Sequence, residues 1–247
     1  MPTLSIVIPV YNERDTWLEL LARVETASIP GIRRQVILIE DGSSDGTRQQ
    51  LEDFRQRLVS GQVQTPSDLT HKIIFHERNH GKGAALRTGF ASANGDVVIV
   101  QDADHEYDPR EYAKVIAPIL AGQADASYGS RFTSGKPQQA LLANYVANRV
   151  LTGLANLVTG LHLTDMETCY KAFSRDILQK LNIEQNRFGF EPEVTIKLAS
   201  LRARIAQMPI SYVGRTKAQG KKIGLKDGVD TLWCILKYGV LRRLKRV

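Results

Sequence analysis

Four short apolar runs, LSIVIPV (4–10), QVILIE (35–40), KIIFHE (72–77) and DVVIVQ (96–101), each stop abruptly at a polar turn. Stretches with helical spacing lie between them. Residues 13–27 place Trp17, Leu20, Leu21 and Val24 on one face. Ser44 or Asp45 can cap a following helix that carries Leu51, Phe54 and Leu58, and 82–93 reads as a short helix of small residues. Apolar runs this short, without polar alternation, need cover on both faces, and helices between them supply it. The pattern therefore predicts an α/β chain with a mainly parallel sheet and helices on both faces. Residues 61–71 read as an exposed loop. Pro109 sits at the first position of a helix running to Leu120, and ADASYG (124–129) is a fifth strand. Beyond residue 130 the pattern predicts a helix over 139–159, a strand within 165–174, a helix over 192–201 and an extended stretch over 204–213.

A length of 247 residues with 43% hydrophobic content suits one domain with a full core. The expected division is a domain over 1–225, with halves 1–130 and 131–225, followed by a basic amphipathic tail over 226–247. Two cysteines, Cys169 and Cys234, give no disulfide framework. MPTLSIVIPV lacks the features of a signal peptide, and LWCIL (232–236) is too short to span a bilayer, so a cytoplasmic location is expected. The net charge is +7, but residues 215–247 hold ten Lys or Arg against Asp227 and Asp230, a local +8 that leaves the rest near −1. Charge confined to one end argues against a nucleic-acid surface and for a local anion-seeking segment. Leu225, Val229, Leu232, Trp233, Leu236, Val240 and Leu244 recur there at helical spacing. Lys226, Lys237, Arg242, Arg243, Lys245 and Arg246 lie among them. A C-terminal amphipathic helix of this kind can rest on an anionic membrane or pack its stripe on the domain.

In a parallel sheet the ligand crevice lies outside the carboxyl ends of the strands, where PVYNE, EDGSSDGT, NHGKG and QDADHE all fall. QDADHE crowds Asp102, Asp104 and Glu106, which repel one another unless something positive sits among them. Residues i and i+2 at a strand end share a side, so Asp102 and Asp104 can hold one Mg²⁺ or Mn²⁺, with Glu106 assisting. The plainer reading is an acidic turn capping the next helix, for which Asp108 suffices. Asp41 can accept from a nucleobase N–H, Tyr11 can stack and Glu13 can accept from a ribose. HERNH (76–80) matches a zinc-protease pattern, but that chemistry needs a helix, and His76 ends a strand. GKGAAL lacks the third glycine of a dinucleotide loop.

This constellation resembles the family 2 glycosyltransferases, of GT-A type, at SIVIPVYNE (5–13), EDGSSDGT (40–47), NHGKGAALRTG (79–89) and QDADHEYDP (101–109). From GSRF (129–132) onward it is similar to polyisoprenyl-phosphate transferases of the dolichol-phosphate mannose synthase type, through DMETCYKAF (165–173) and RFGFEPEVTIKLA (187–199). The resemblance implies that Pro9, Tyr11, Glu13 and Asp41 bind the nucleoside, and that Asp102 and Asp104 bind metal and diphosphate. Asn12, Lys82 and Ala103, in the same motifs, join the nucleotide-sugar set. Arg131 and Arg149 would meet the acceptor phosphate, and Arg215 resembles part of a basic loop closing over the donor. Those synthases commonly have Gln where this chain has Glu106, which puts the third ligand in doubt.

The expected activity is inverting transfer of a sugar from GDP-mannose or a UDP-sugar to a polyisoprenyl phosphate, on a protein peripheral to the cytoplasmic membrane face. Asp104, Arg131 and Asp165 are the catalytic candidates. Asp165 would be a general base if the acceptor were instead a hydroxyl of a glycolipid or polysaccharide, and a plain turn cap reads equally well. Sugar nucleotidyl transfer needs a glycine-rich basic loop after the first strand, where this chain has PVYNE.

Overall fold

The computed structural model describes residues 1–133, 142–215 and 225–241. Its strands are β1 (Thr3–Val10), β2 (Arg33–Glu40), β3 (Leu69–Phe75), β4 (Val97–Val100), β5 (Ala126–Ser130), β6 (Lys171–Ser174) and β7 (Ile205–Pro209). Its helices are α1 (Trp17–Thr26), α2 (Thr47–Val59), α3 (Lys82–Ser92), α4 (Tyr112–Leu120), α5 (Leu142–Thr159), α6 (Arg175–Lys180), α7 (Phe190–Ser200) and α8 (Leu225–Cys234). The last continues as a π-helical segment, Ile235–Leu241. One sheet runs β3-β2-β1-β4-β6-β5-β7, so strands from both sides of residue 130 share it. β1 pairs in parallel with β2 and β4, β2 with β3 and β5 with β7, while β6 is antiparallel to both β4 and β5. A mainly parallel sheet is what the alternating runs predict.

Every residue of β4 and nearly all of β1 and β2 are buried, which explains why these strands are apolar at both parities. α1 turns Trp17, Leu20, Leu21 and Val24 inward. α3 lies across β1 and β2 so closely that a Cβ on Gly89 would meet Val7 Cγ1 at 2.3 Å and Ile39 Cδ1 at 2.8 Å. The chain order places β2 and β3 on one side of β1 and β4 on the other. This reversal opens a crevice at the carboxyl ends of β1 and β4.

Local differences from the sequence reading have identifiable causes. α1 begins at Trp17 rather than residue 13, because the Glu13 carbonyl accepts from the amides of Thr16 and Trp17 in a turn. That turn keeps Glu13 off the helix. β3 begins at Leu69, inside the expected loop. Its polar residues are accommodated individually, His71 by Glu25 at 2.8 Å. Gly46, at φ 100°, rather than Ser44 or Asp45 is the N-cap of α2; Asp45 just before it accepts from the Thr47 amide at 3.0 Å, and Asp108 accepts from the Arg110 amide ahead of α4. α6, one short turn and a half, has no counterpart in the reading.

A second, smaller core joins α5, α7 and the C-terminal helix through Ala155, Met166, Ile196, Cys234, Ile235 and Tyr238. The stripe Val229, Leu232, Trp233, Leu236 and Val240 lies on the other side of that helix and is exposed, Trp233 by 55%. The stripe singled out in the sequence therefore does not pack on the domain; a different face of the helix, with Cys234, Ile235 and Tyr238, does. Leu244, Arg242, Arg243, Lys245 and Arg246, and the side chains of Leu225 and Lys226, lie outside the described residues. Among the described residues no helix is long and apolar enough to cross a membrane.

Replacing Gly89 with Ala tests the α3 contact. Alanine gains about 1 kcal/mol over glycine in a helix interior, while overpacking costs about 1–3 kcal/mol. The contact distances put this site at the upper end, so the urea midpoint of Gly89→Ala should fall below that of the wild type.

Candidate active site

At the carboxyl edge of the sheet lies a cavity of about 230 Å³ lined by the ends of β1, β2 and β4: Pro9, Val10, Tyr11 and Glu13, then Asp41, then Asp102, Ala103 and Asp104. Asn79, Gly81, Lys82, Ala85, Arg187 and Phe188 complete the wall. Eight residues singled out in the sequence therefore meet in one place. Asn12, at φ 48°, works behind the wall: its amide donates to Ser43 Oγ at 3.0 Å and its Oδ1 accepts from the Ser44 amide at 2.9 Å, joining two loops. Gly42 permits the next loop to close, since a Cβ there would meet backbone atoms of Arg78 and Asn79 at 2.4 Å.

Asp41 is nearly encased. Its Oδ1 accepts from the His80 amide at 3.0 Å and pairs with His76 Nδ1 at 2.7 Å. Its Oδ2 accepts from the Gly81 amide at 2.8 Å and from Asn79 Nδ2 at 2.9 Å. The carboxylate shapes the NHGKG loop as well as lining the cavity. His76 Nε2 meets Thr88 Oγ1 at 2.9 Å, so both its ring nitrogens are engaged.

The acidic turn is answered by two cations. Lys82 Nζ lies 2.9 Å from Asp102 and 3.1 Å from Glu191. Arg215 donates from Nη2 to Asp104 Oδ2 at 2.5 Å and from Nη1 to Glu13 Oε2 at 3.2 Å, and its backbone N–H donates to Glu106 Oε1 at 2.8 Å. Glu106 also accepts from the Tyr212 hydroxyl at 3.1 Å and, through its carbonyl, from the Val213 amide at 3.0 Å. Its oxygens thus clasp segment 212–215. Burial, then the charges of Asp102 and Glu106, push the Asp104 carboxyl up to about 7. Burial works the same way on Asp102, but Lys82 outweighs it and holds that carboxyl below its usual value.

Five carboxylates, Glu13, Asp102, Asp104, Glu106 and Glu191, face the paired cations Lys82 and Arg215 and the wall residue Arg187, which still leaves a local negative excess. A hard divalent cation fits such a donor set. Mg²⁺ takes one or two protein carboxylates and fills its shell with water and phosphate oxygens, so Asp102 and Asp104 meet its needs without a preformed cage. Among the described residues no three His, Cys, Asp or Glu side chains converge at metal-ligand spacing.

Arg131 and Asp165 form a separate unit outside the cavity wall. Asp165, 1% exposed, accepts from Arg131 Nε at 2.7 Å, Nη2 at 2.8 Å and the backbone N–H at 3.1 Å, and from Asn148 Nδ2 at 3.1 Å. Burial would raise its pKa, but Arg131 outweighs it and the carboxyl is held low. A carboxylate this saturated makes a weak base; its task here is to fix Arg131. The guanidinium also lies 5.0 Å from the Tyr212 ring and 5.2 Å from that of Phe132. Arg149 is exposed, donates to the Thr164 carbonyl at 3.2 Å, and does not reach the cavity. Residues 216–224, the rest of the basic loop, lie outside the described residues. Glu191, Asn79, Arg187 and Phe188 carry no individual prediction in the sequence reading, although all lie in its quoted motifs.

A family model described as "Glycosyl transferase family 2" matches residues 5–181. The undecaprenyl-phosphate 4-deoxy-4-formamido-L-arabinose transferase of Edwardsiella ictaluri is 29% identical over 218 residues, 88% of this chain and 62% of that protein. The dolichol-phosphate mannosyltransferase of Pyrococcus furiosus is 25% identical over 227 residues, 89% of this chain and 59% of that protein. The chain thus spans about three fifths of the length of these relatives. Among solved structures, glucosyl-3-phosphoglycerate synthase from Mycobacterium tuberculosis with Mn²⁺ and uridine-diphosphate-glucose superposes with a TM-score of 0.70 at 20% identity, covering 96% of this chain and 79% of that one. The fold is shared with that protein.

Asp165→Asn should cost about 3–5 kcal/mol at neutral pH, the scale of an orphaned buried charge. Because the Asp165 pKa is lowered from 3.8, its contribution is present above that value and lost as pH falls below it. Urea midpoints of wild type and variant should differ by a constant amount from pH 7 to pH 5 and converge in more acid solution.

Proposed function

Because this chain belongs to glycosyl transferase family 2, we propose that it transfers a glycosyl group from a nucleoside-diphosphate sugar to a polyisoprenyl phosphate. The observation that carries this reading is the negative excess on Asp102, Asp104 and their neighbours inside a cavity at the sheet's switch point, with the clamped Arg131 outside its wall. The relatives' activities on undecaprenyl and dolichol phosphate support the acceptor class.

Pro9, Tyr11 and Asp41 would border the nucleoside, with Tyr11 stacking and the Asp41-ordered loop shaping the floor. Asp102 and Asp104 would hold Mg²⁺ or Mn²⁺, which would supply positive charge beside the departing diphosphate. Lys82 keeps Asp102 ionised and in place. Arg131, bound to Asp165 through Nε and Nη2, has Nη1 outside that pairing and available to a phosphate oxygen. The acceptor oxygen attacks the anomeric carbon as the bond to the diphosphate breaks, which inverts that centre. A phosphate is ionised at neutral pH, so no proton has to be removed and no base is required. The state of Asp165 favours this acceptor over a hydroxyl.

The exposed stripe on the C-terminal helix would bring the protein to its lipid. Apolar side chains enter the interface, and each nearby cation adds about 1 kcal/mol on an anionic surface.

The protein should turn over one of several sugar nucleotides with Mn²⁺ and a short polyprenyl phosphate, and Asp102→Asn should lower that rate about 100-fold or more at saturating Mn²⁺, the scale of removing one transition-state contact. Near-normal turnover would remove the metal from this reading. Separately, the wild type should float with vesicles rich in anionic lipid, and the double variant Leu232→Glu/Trp233→Glu should not. Equal flotation would exclude the membrane contact.

A further inference from the structure

We infer that Arg215 is an internal counter-cation of the divalent-ion site: its guanidinium occupies Asp104 when no ion is bound and must leave before that carboxylate can take one. The inference rests on the metal-dependent reading above and adds the order of events at the same site. Both oxygens of Asp104 are engaged by the chain itself, Oδ1 by the Glu106 amide at 3.0 Å and Oδ2 by Arg215 Nη2 at 2.5 Å. The same guanidinium reaches Glu13 at 3.2 Å and lies 3.7 Å from Glu106 through Nε. One cation thus pairs with three carboxylates that repel one another across a mostly buried site, and offsets only part of their charge.

A guanidinium has donors only and cannot share a metal's coordination shell. A divalent ion on Asp104 therefore competes with Arg215 for the same oxygen and repels it. An ion arriving alone must break the Asp104–Arg215 pairing and leave the guanidinium, still held by Glu13 and Glu106, beside a divalent charge in a largely desolvated place, which is costly. An ion arriving with a diphosphate does not, because phosphate oxygens offer the guanidinium a bidentate partner of equal charge type. Arg215 thus makes ion binding and diphosphate binding depend on each other, and by linkage each must raise the other's affinity by the same factor. Glu106 sets the reach of the exchange. It holds the backbone of residues 213 and 215 and the Tyr212 hydroxyl, so Arg215 swings from a fixed base.

The test is a Mn²⁺ titration of the full chain, followed by electron paramagnetic resonance, with and without UDP or GDP as the diphosphate probe. The wild type should bind Mn²⁺ weakly alone and about tenfold or more tightly with a diphosphate. Arg215→Gln should bind Mn²⁺ alone about tenfold more tightly than the wild type and show reduced coupling. Arg215→Lys, which keeps the charge, should resemble the wild type. A residue that merely contacts the donor would weaken diphosphate binding without strengthening binding of the ion alone. Mn²⁺ affinity of Arg215→Gln equal to or below that of the wild type overturns the inference while leaving the metal site standing. Absence of any Mn²⁺-dependent diphosphate binding in the wild type overturns the functional reading instead.

Discussion

The site depends on an imbalance of charge at the carboxyl edge of the sheet. Asp102, Asp104, Glu106, Glu13 and Glu191 are gathered where little water reaches them, and Lys82 and Arg215 answer only part of their charge. In a low-dielectric setting such crowding is expensive: burial, then the charges of Asp102 and Glu106, push the Asp104 carboxyl up to about 7. Groups held at that cost are ready to take positive charge from outside. The loops around them are correspondingly tied down: Asn12 to the Ser43–Ser44 turn, Asp41 to four donors, and Glu106 to segment 212–215.

The sheet determines where this imbalance can exist. β1 and β4 are neighbours whose connections leave in opposite directions, so no crossover helix covers the carboxyl end between them. Pro9 and Val10 end one strand, and Gln101 and Asp102 follow the other. Behind them α3 packs tightly on Val7 and Ile39, and it carries Lys82 at its first turn, directed at Asp102. The position of the cation that steadies Asp102 is thus set by packing of small residues further along the same helix.

Much of this was readable before any coordinates. The strand ends are abrupt in sequence, and a polar residue that closes an apolar run in a parallel sheet has few places to go. Glu13, Asp41, Asp102 and Asp104 are legible that way, whereas Pro9, inside β1, comes only from the family resemblance. The sequence could also say that three adjacent carboxylates require a positive partner, but not which one. Arg215 stands 202 residues from Glu13, and only the antiparallel insertion of β6 and the return through β7 bring it back. Asp165 shows the opposite limit. As a lone acid in a motif it suits a base or a cap equally, and only the four donors around it reveal a clamp. Glu106 reads as a ligand by proximity but clasps a distant segment. Spacing along the chain reports which groups are near in one strand or turn, whereas long-range pairing decides what each group has left to offer.

The acceptor side extends the same logic to the surface. Asn148, on α5, donates to Asp165 and so braces the clamp on Arg131. A few residues on, Leu151, Ala155 and Val158 pack against Cys234, Ile235 and Tyr238 of the C-terminal helix. The other side of that helix exposes Leu232, Trp233 and Leu236, while α5 exposes Val146, Val150 and Leu157. A helix apolar on two faces cannot satisfy both within its own domain. The inner face anchors it, and the outer face remains available for a partner less polar than water. α5 thus touches both the Asp165–Arg131 clamp and the second core, so the exposed stripe and the clamp are connected through a single helix.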